Sequence, residues 1–162
     1  MSKLKDKTNV IRILDRTKLS YIPHKYEHND GAIDGISVAH KMNQNIDQVF
    51  KTLVCQGHSG DYCVFVIPVA HELDLKKAAK SVKEKSVSMI PVAEINRVTG
   101  YIRGGCSPIG MKKHYQTVFD SQCKKNHRII VSAGKIGYQI EMSPDDLVAF
   151  TGATISDIIK YP

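Results

Sequence analysis

The sequence predicts one α+β domain, in which a mixed, mostly antiparallel and curved sheet is flanked by helices. Helix and strand patterns intermix along the 162 residues without the regular βαβ repeat of a parallel-sheet fold. Two pairs of strand patterns are each joined by a short turn, which indicates hairpins. A chain of this length buries about 68–70% of its unfolded surface, so it needs no covalent or metal staple. We expect a single domain over residues 1–162, with a flexible N-terminus at residues 1–7.

The N-terminal half is predicted to contain two helices, one strand and a hairpin. The expected bounds are a helix over 8–17, a strand over 20–28, a helix over 37–42 and hairpin strands over 49–55 and 61–69. Thr8 and Ser37 are the expected N-caps, because a hydroxyl can accept the first free N–H groups of a helix.

The C-terminal half is predicted to contain short helices around a second hairpin. The expected bounds are helices over 75–82, 91–98 and 144–150, strands over 86–89 and around Val118, and hairpin strands over 129–134 and 138–142. Asp74 and Ser143 are the expected N-caps, and Gly152 is expected to end the last helix. Helical spacing predicts that Leu75 and Ala78 face the core.

The charge balance favours a polyanionic partner. Lysine and arginine number 23 against 16 acidic residues, which gives a net charge of +7 and a pI of about 9.2. Such a surface attracts phosphates, since neutralising them releases counterions. A lysine-rich surface that is simply solvated is the alternative. The chain shows no arginine-rich tail, RGG segment or zinc finger, so it is not expected to read DNA.

Location and cofactors are predicted from what the sequence lacks. No apolar run approaches the ~20 residues of a membrane span, and the segment MSKLKDKTNV lacks the apolar core of a signal peptide. We therefore expect a cytoplasmic protein with no membrane partner. The cysteines, which show no CxxC pair and no regular spacing, are Cys55, Cys63, Cys106 and Cys123. No disulfide framework, metal site or cofactor is expected.

The stretch VFKTLVC at residues 49–55 places a lysine inside a strand pattern. Side chains alternate along a strand, so Lys51 shares one face with Leu53 and Cys55. Burying an unpaired ammonium is costly, because desolvation favours the neutral amine. Lys51 therefore either extends its amine to water at a strand edge, finds a partner, or faces a cleft.

The segment TGYIRGGCSPIGMKKH at residues 99–114 contains the second unusual composition. Gly104 and Gly105 allow close approach of the backbone to a ligand, with N–H groups free to hold an oxyanion or a phosphate. A tight loop that needs glycine for steric reasons alone is the alternative. The segment is neither a P-loop nor a GxSxG elbow. Cys106 is a candidate nucleophile only with a histidine base in reach, and His114 is the nearest in sequence.

Five segments taken together resemble the YbaK/EbsC family of free-standing trans-editing deacylases. They are YEH at 26–28, VFKTLV at 49–54, PVAHELDLKKAAK at 68–80, TGYIRGGCSPIG at 99–110 and SAGKIGYQIEM at 132–142. The resemblance implies a barrel-like sheet whose cleft takes the 3′ end of an aminoacyl-tRNA. It also implies hydrolysis of Cys-tRNA(Pro), with the substrate thiol assisting ester cleavage. Cys-tRNA(Cys) is a second candidate substrate. Prolyl-tRNA synthetase is then the expected transient partner.

The resemblance also assigns roles to residues of this chain. Lys51 and Tyr26 match the catalytic positions, and Leu53 and Cys55 would form the floor of the cleft. The substrate-binding positions are Thr52, Gly104, Gly105, Cys106, Ser107, Pro108, Ile109, Gly110 and Gln139. Gln139 replaces an aspartate of some relatives, so a mechanism that needs a carboxylate there does not transfer. Apart from the resemblance, the positive charge at the rim of the glycine-rich loop makes Arg103, Lys112, Lys113 and His114 the expected tRNA contacts.

Two other functions stay open at the level of sequence. One is a deacylase for another small mischarged amino acid, such as Ala-tRNA(Pro). The other is a non-catalytic module that binds tRNA or a synthetase, in which the lysine of the cleft serves affinity only.

Overall fold

Thirteen helices and strands make up the fold in a computed structural model that describes residues 7–162. In chain order they are α1 (Asn9–Asp15), β1 (Ile22–Lys25), α2 (Gly35–Lys41), β2 (Phe50–Gly57), β3 (Tyr62–Pro68), α3 (Leu75–Ser81), β4 (Val87–Met89), α4 (Ile95–Thr99), β5 (Gln116–Asp120), β6 (Ile129–Ser132), β7 (Tyr138–Met142), α5 (Pro144–Thr151) and β8 (Thr154–Ser156). Short 3₁₀ turns lie at Ile46–Gln48, Val92–Glu94 and Ser121–Lys125. The expectation of a flexible N-terminus falls almost entirely on residues 1–6, which lie outside the described range.

The strands form two sheets that meet at one point. The smaller sheet has the order β1-β7-β6 and is antiparallel throughout. The larger has the order β4-β2-β3-β5-β8, with antiparallel pairs around β2 and parallel pairs around β5. A parallel bridge between Val49 and Ile130 joins them just before β2. The predicted α+β class with mostly antiparallel pairing is confirmed.

The main core fills the space between the two sheets and is closed by α1 and α5. Phe50 of β2 and Phe119 of β5 pack there with Ile140 of β7. A second cluster lies under α3, where Phe65 and Ile67 of β3 contact helix residues. β3 is therefore buried on both faces, which explains its nearly continuous apolar sequence YCVFVIP.

Three of the predicted N-caps are confirmed and one is wrong. Thr8, Asp74 and Ser143 each accept a backbone N–H of their own helix. For α2 the cap is Asp34 and not Ser37, whose own N–H donates to the Asp34 carboxylate at 3.1 Å. A carboxylate that precedes the helix accepts these N–H groups directly, so α2 begins at Gly35, earlier than predicted.

Two further expectations need correction. Leu75 is 42% exposed, because α3 packs on the sheet through Ala78 and Ala79 and its first residue points away. The strand expected over 20–28 is limited to β1, because only these four residues pair with β7. Within residues 7–162, no helix has the length and apolar character to cross a membrane.

Candidate active site

A cleft of about 890 Å³ opens beside the first half of β2. β4 pairs with β2 from Cys55 to Gly57, and the N–H of Ile90 also donates to the carbonyl of Val54, so this edge of β2 is open from Lys51 to Leu53. The opposite walls come from the segment before α2, the loop after α4 and the β6–β7 hairpin. The lining residues are Tyr26, Gly31, Ile33, Asp34, Gly35, Ile36, Val38, Val49, Phe50, Lys51, Thr52, Leu53, Val54, Val69, Met89, Ile90, Val92, Ile95, Arg103, Gly104, Cys106, Ser132, Tyr138 and Gln139.

Lys51 lines this cleft as a half-buried cation without a close partner. Among the described residues, none of the ion pairs or hydrogen bonds involves its ammonium group. Desolvation lowers the pKa of Lys51 below its ordinary value, and the more distant charge of Glu72 opposes that shift. Glu72 is itself 3.6 Å from the ammonium of Lys160, so its charge is shared. Lys51 is thus available to an anionic or polar ligand.

Leu53, but not Cys55, lines the cleft together with Lys51. Cys55 is fully buried in the cluster under α3, and its thiol lies 3.6 Å from the sulfur of Met89. The prediction that both residues form the floor is therefore wrong for Cys55, because β4 covers β2 from that residue onward.

Thr52 presents a buried hydroxyl that has no partner. Its Oγ1 is shielded from solvent and makes no hydrogen bond within residues 7–162. Leaving a buried hydroxyl unpaired costs about 1–3 kcal/mol. Thr52 also lines the cleft, so a ligand polar atom that reaches Oγ1 after the covering side chains shift would remove this cost.

Two tyrosines close the side of the cleft opposite β2. Tyr26 is 7% exposed, and its backbone N–H donates to the carbonyl of Gly137 at 2.8 Å, which fixes it against the β6–β7 hairpin. The Tyr26 hydroxyl makes no hydrogen bond with another described residue. The ammonium groups of Lys25 and Lys135 each lie 5.6 Å from the centre of the Tyr138 ring, adding positive charge behind this wall.

Gln139 is held by a second amide that no sequence pattern singled out. Gln44, which follows α2, donates from Nε2 to Oε1 of Gln139 at 2.8 Å. Gln139 is buried in the middle of β7, opposite Ser132 of β6. Since its carbonyl oxygen is occupied, its amide nitrogen remains as the group that can contact a ligand. A neutral amide cannot act as a general base at this position.

The first half of the glycine-rich loop reaches the cleft through Gly104 and Cys106. Gly104 has φ +87°, and a Cβ there would lie 2.9 Å from the side chain of Ile33. The N–H of Gly105 donates to the carbonyl of Ile102 at 3.0 Å. The expectation that this N–H is free to hold an oxyanion is therefore wrong. The N–H groups of Gly104 and Cys106 make no hydrogen bond with a described residue and are the available donors.

Cys106 is not poised as a nucleophile. Burial raises the pKa of its thiol to about 12, and a hydrogen bond with Thr99 only partly offsets this. His114, the base considered from the sequence, lines a different cleft. Cys106 therefore stays protonated near neutral pH and acts as part of the apolar wall. No cluster of three or more histidine, cysteine or acidic side chains suited to a metal ion occurs within the described range.

Residues 32–150 match the family described as "Aminoacyl-tRNA editing domain". The chain belongs to this family. A curated relative from Enterococcus faecalis, named "Putative Cys-tRNA(Pro)/Cys-tRNA(Cys) deacylase EbsC", is 39% identical over 156 residues, covering 96% of this chain and 95% of the relative. These matches confirm the family indicated by the sequence motifs.

Solved structures share the fold of this editing domain. One, described as "Crystal structure of a putative trans-editing enzyme for prolyl tRNA synthetase", superposes with a TM-score of 0.81 at 20% identity, covering 96% of this chain and all of the other. A second, described as a hypothetical protein, has a TM-score of 0.84 at 20% identity over 92% and 97% of the two chains. At this identity the likeness establishes the fold alone.

The predicted site residues of the editing domain divide between two places. Those brought together in the cleft beside β2 are Tyr26, Lys51, Thr52, Arg103, Gly104, Cys106 and Gln139. Those that line a second cleft are Pro108, Ile109, Gly110, Lys113 and His114. Gly105 packs against the backbone of Lys135 and Ile136, and Ser107 is fully buried. Lys112 reaches back to the carbonyl of Arg97 at 3.4 Å. The contiguous motif therefore supplies two surfaces.

Proposed function

We propose that the protein is an aminoacyl-tRNA deacylase that hydrolyses Cys-tRNA(Pro) and Cys-tRNA(Cys) in the cleft beside β2. The observation that supports this most directly is the pair Lys51 and Thr52 on the open edge of one strand. They are a half-buried cation and a buried hydroxyl, and neither has a partner among the described residues. The volume of about 890 Å³ lies in the range of about 300–1,000 Å³ that small-molecule sites occupy. The name carried by the 39% identical relative supports the same substrates.

The proposed chemistry uses the thiol of the substrate. Its sulfur attacks the ester carbonyl carbon, the bond from that carbon to the ribose oxygen breaks, and the thiol proton ends on the ribose hydroxyl that leaves. The four-membered thiolactone that results is opened by water to give free cysteine. Intramolecular attack gains from proximity, although the small ring is strained. The thiol of Cys106, with a pKa of about 12, does not compete for this role.

The chain then contributes positioning and charge. Lys51 holds a ribose or phosphate oxygen of the terminal nucleotide, and Thr52 donates to the ligand. The N–H groups of Gly104 and Cys106 stabilise the oxyanion that forms on the ester carbonyl, a role in which one donor is worth about 2.7–4 kcal/mol in other enzymes. Tyr26 and Gln139 orient the amino-acid end.

The test compares two lysine variants on radiolabelled Cys-tRNA(Pro). Lys51→Ala should lower the deacylation rate by about 100-fold, the size typical for loss of one transition-state contact. Lys80→Ala, on the exposed face of α3, is the matched control and should keep the wild-type rate. A wild-type rate in Lys51→Ala would contradict the role of Lys51.

The choice of amino acid is tested with a panel of charged tRNAs. Ser-tRNA(Pro) has nearly the same size as Cys-tRNA(Pro) but carries no thiol, so it should be hydrolysed much more slowly. Equal rates would refute thiol-assisted cleavage. Preference for Ala-tRNA(Pro) would select a different small amino acid, and salt-sensitive tRNA binding without hydrolysis would select a non-catalytic module.

We also propose prolyl-tRNA synthetase as a transient partner that supplies tRNA selectivity. The solved structure with a TM-score of 0.81 is described as a trans-editing enzyme for that synthetase, which supports the proposal. Adding the synthetase should accelerate deacylation of Cys-tRNA(Pro) more than that of Cys-tRNA(Cys). Equal stimulation of both, or none, would contradict the partnership.

A further inference from the structure

A second cleft of about 430 Å³ lies on the other side of the glycine-rich loop. Its walls are the second half of that loop, the start of β5 and the end of α5. Phe150 of α5 lines it and is 40% exposed, so its ring is accessible to a ligand. None of the residues proposed to act on the ester lines this cleft.

Several side chains of this cleft are of the types that bind single-stranded nucleic acid in other proteins. Phe150 offers an aromatic face, and the ring of His114 lies beside Gly152, where a Cβ would be 3.6 Å from Cε1 of the histidine. Lys113 is exposed and takes part in no ion pair with a described residue. Aromatic faces stack bases without regard to sequence, while nearby cations hold the backbone phosphates.

The charge around the cleft also suits a phosphate backbone. Lys112 adjoins Lys113 and is exposed as well. The acidic residues of α5, Asp145 and Asp146, are in its first turn, and Asp146 lies one turn from Phe150 on the same face of the helix. The two lysines come from the loop before β5, and neither forms an ion pair with a described residue.

The loop joins the two clefts over a very short distance. Cys106 lines the first cleft and Pro108 lines the second. Two residues of extended chain span at most about 7 Å. The two clefts therefore adjoin each other on either side of this loop, and a single strand that ends in the first cleft would pass over the loop to enter the second.

We propose that the second cleft binds a nucleotide of the single-stranded 3′ end of the tRNA, upstream of the aminoacylated one. The base stacks on Phe150 and His114, and Lys113 holds a backbone phosphate. This inference rests on the proposed function, since it takes an aminoacyl-tRNA as the substrate.

The experiment separates the upstream nucleotides from the aminoacylated one. Phe150→Ala, Lys113→Glu and the control Lys80→Glu are each tested with Cys-tRNA(Pro) and with cysteinyl-adenosine, which has no upstream nucleotide. Binding of a short single-stranded RNA ending in CCA is measured by fluorescence anisotropy. Phe150→Ala should raise both the Kd for the RNA and the KM for Cys-tRNA(Pro) by about tenfold. The kcat, and the KM for cysteinyl-adenosine, should stay at wild-type values.

Two results would overturn the inference. Wild-type RNA binding in both Phe150→Ala and Lys113→Glu would show that the cleft does not bind the strand. Equal losses on Cys-tRNA(Pro) and cysteinyl-adenosine would show that the variants act on the structure as a whole. The two proposals fail separately: wild-type protein that hydrolyses neither ester but binds the RNA through Phe150 would refute only the deacylase.

Discussion

Replacing Thr52 by valine should make the protein more stable and less active. The hydroxyl of Thr52 is buried without a hydrogen-bond partner among the described residues, at a cost of about 1–3 kcal/mol. Valine has nearly the same shape and leaves no polar atom unpaired. We expect the free energy of unfolding to rise by about 1 kcal/mol, the lower end of that cost. For a chain of this size, such a gain raises Tm by about 2–4 °C.

Activity should change in the opposite direction, because the same hydroxyl is proposed to donate to the substrate. Loss of one such hydrogen bond costs about 1.4 kcal/mol, a tenfold fall in kcat/KM. Stability is measured by urea unfolding followed by circular dichroism, and activity by release of radiolabelled cysteine from Cys-tRNA(Pro). Both measurements use the same preparation, so that a folding defect cannot be read as a catalytic one.

Thr117→Val is the matched control for stability. Thr117 lies on a neighbouring part of the same sheet and is also buried, but its hydroxyl donates to the carbonyl of Tyr115 at 2.9 Å. Its replacement should therefore lower the free energy of unfolding, by about 1 kcal/mol. A destabilised Thr52→Val protein with full activity would refute the reasoning, since it would mean that the Thr52 hydroxyl stabilises the fold and does not serve the ligand.

The remaining predictions concern the other groups of the cleft. Because the pKa of Lys51 is lower in the folded protein than its unfolded value of about 10.4, Lys51→Met should stabilise the fold near pH 7. That gain in stability should shrink as pH rises from the folded pKa of Lys51 to its unfolded pKa, because the amine of the folded protein is then neutral. Thermal unfolding at a series of pH values measures the gain. A gain that stays constant up to pH 10.5 would contradict the desolvation of Lys51. Cys106→Ser should keep most of the deacylase activity, and iodoacetamide at pH 7.5 should leave Cys106 unmodified by mass spectrometry, since its thiol has a pKa of about 12; rapid alkylation would count against this. Gln44→Ala should raise KM more than it lowers kcat by releasing the Gln139 amide, and Gln44→Asn, with the same group on a shorter chain, should recover part of the loss; an equal loss in both variants, with normal stability, would assign Gln44 another role.

The local sequence pattern was sufficient to predict those elements whose conformation is determined by neighbouring residues in the chain. Period-two alternation placed Lys51 on a strand, and the serine–proline–acid start of α5 fixed that helix. The prediction that Ser37 caps α2 was wrong because Asp34 and Ser37 both precede the same apolar pattern, and only the backbone geometry selects between them. The prediction that Leu75 faces the core was wrong because the periodicity of so short a helix does not indicate which residue of its first turn the sheet covers.

Contacts between distant segments could not be predicted in this way. Gln44 reaches Gln139 across 95 residues, and neither position carries a local pattern that requires the other. The residues of β2 that line the cleft are those that β4 does not cover, and β4 begins to pair with β2 at Cys55. This position depends on where the chain returns to β2 about 30 residues later, which no local pattern indicates. The motif from Gly104 to Gly110 is contiguous in sequence, so all of it was predicted to line one binding surface. In the structure Ser107, at its centre, is buried, and the residues on either side of it line two different clefts.

The unpaired groups of the cleft lie where the fold is best able to tolerate them. Lys51 and Thr52 are adjacent residues on opposite faces of β2, and both border its open edge, while the other edge is paired with β3 along its whole length. β3 is buried on both faces, so its pairing with β2 holds β2 in place although two side chains of β2 lack partners among the described residues. A ligand that pairs with both groups would relieve two costs at once without moving the backbone. Binding energy would then be spent on orienting the ester, which is the contribution a thiol-assisted reaction needs from the protein.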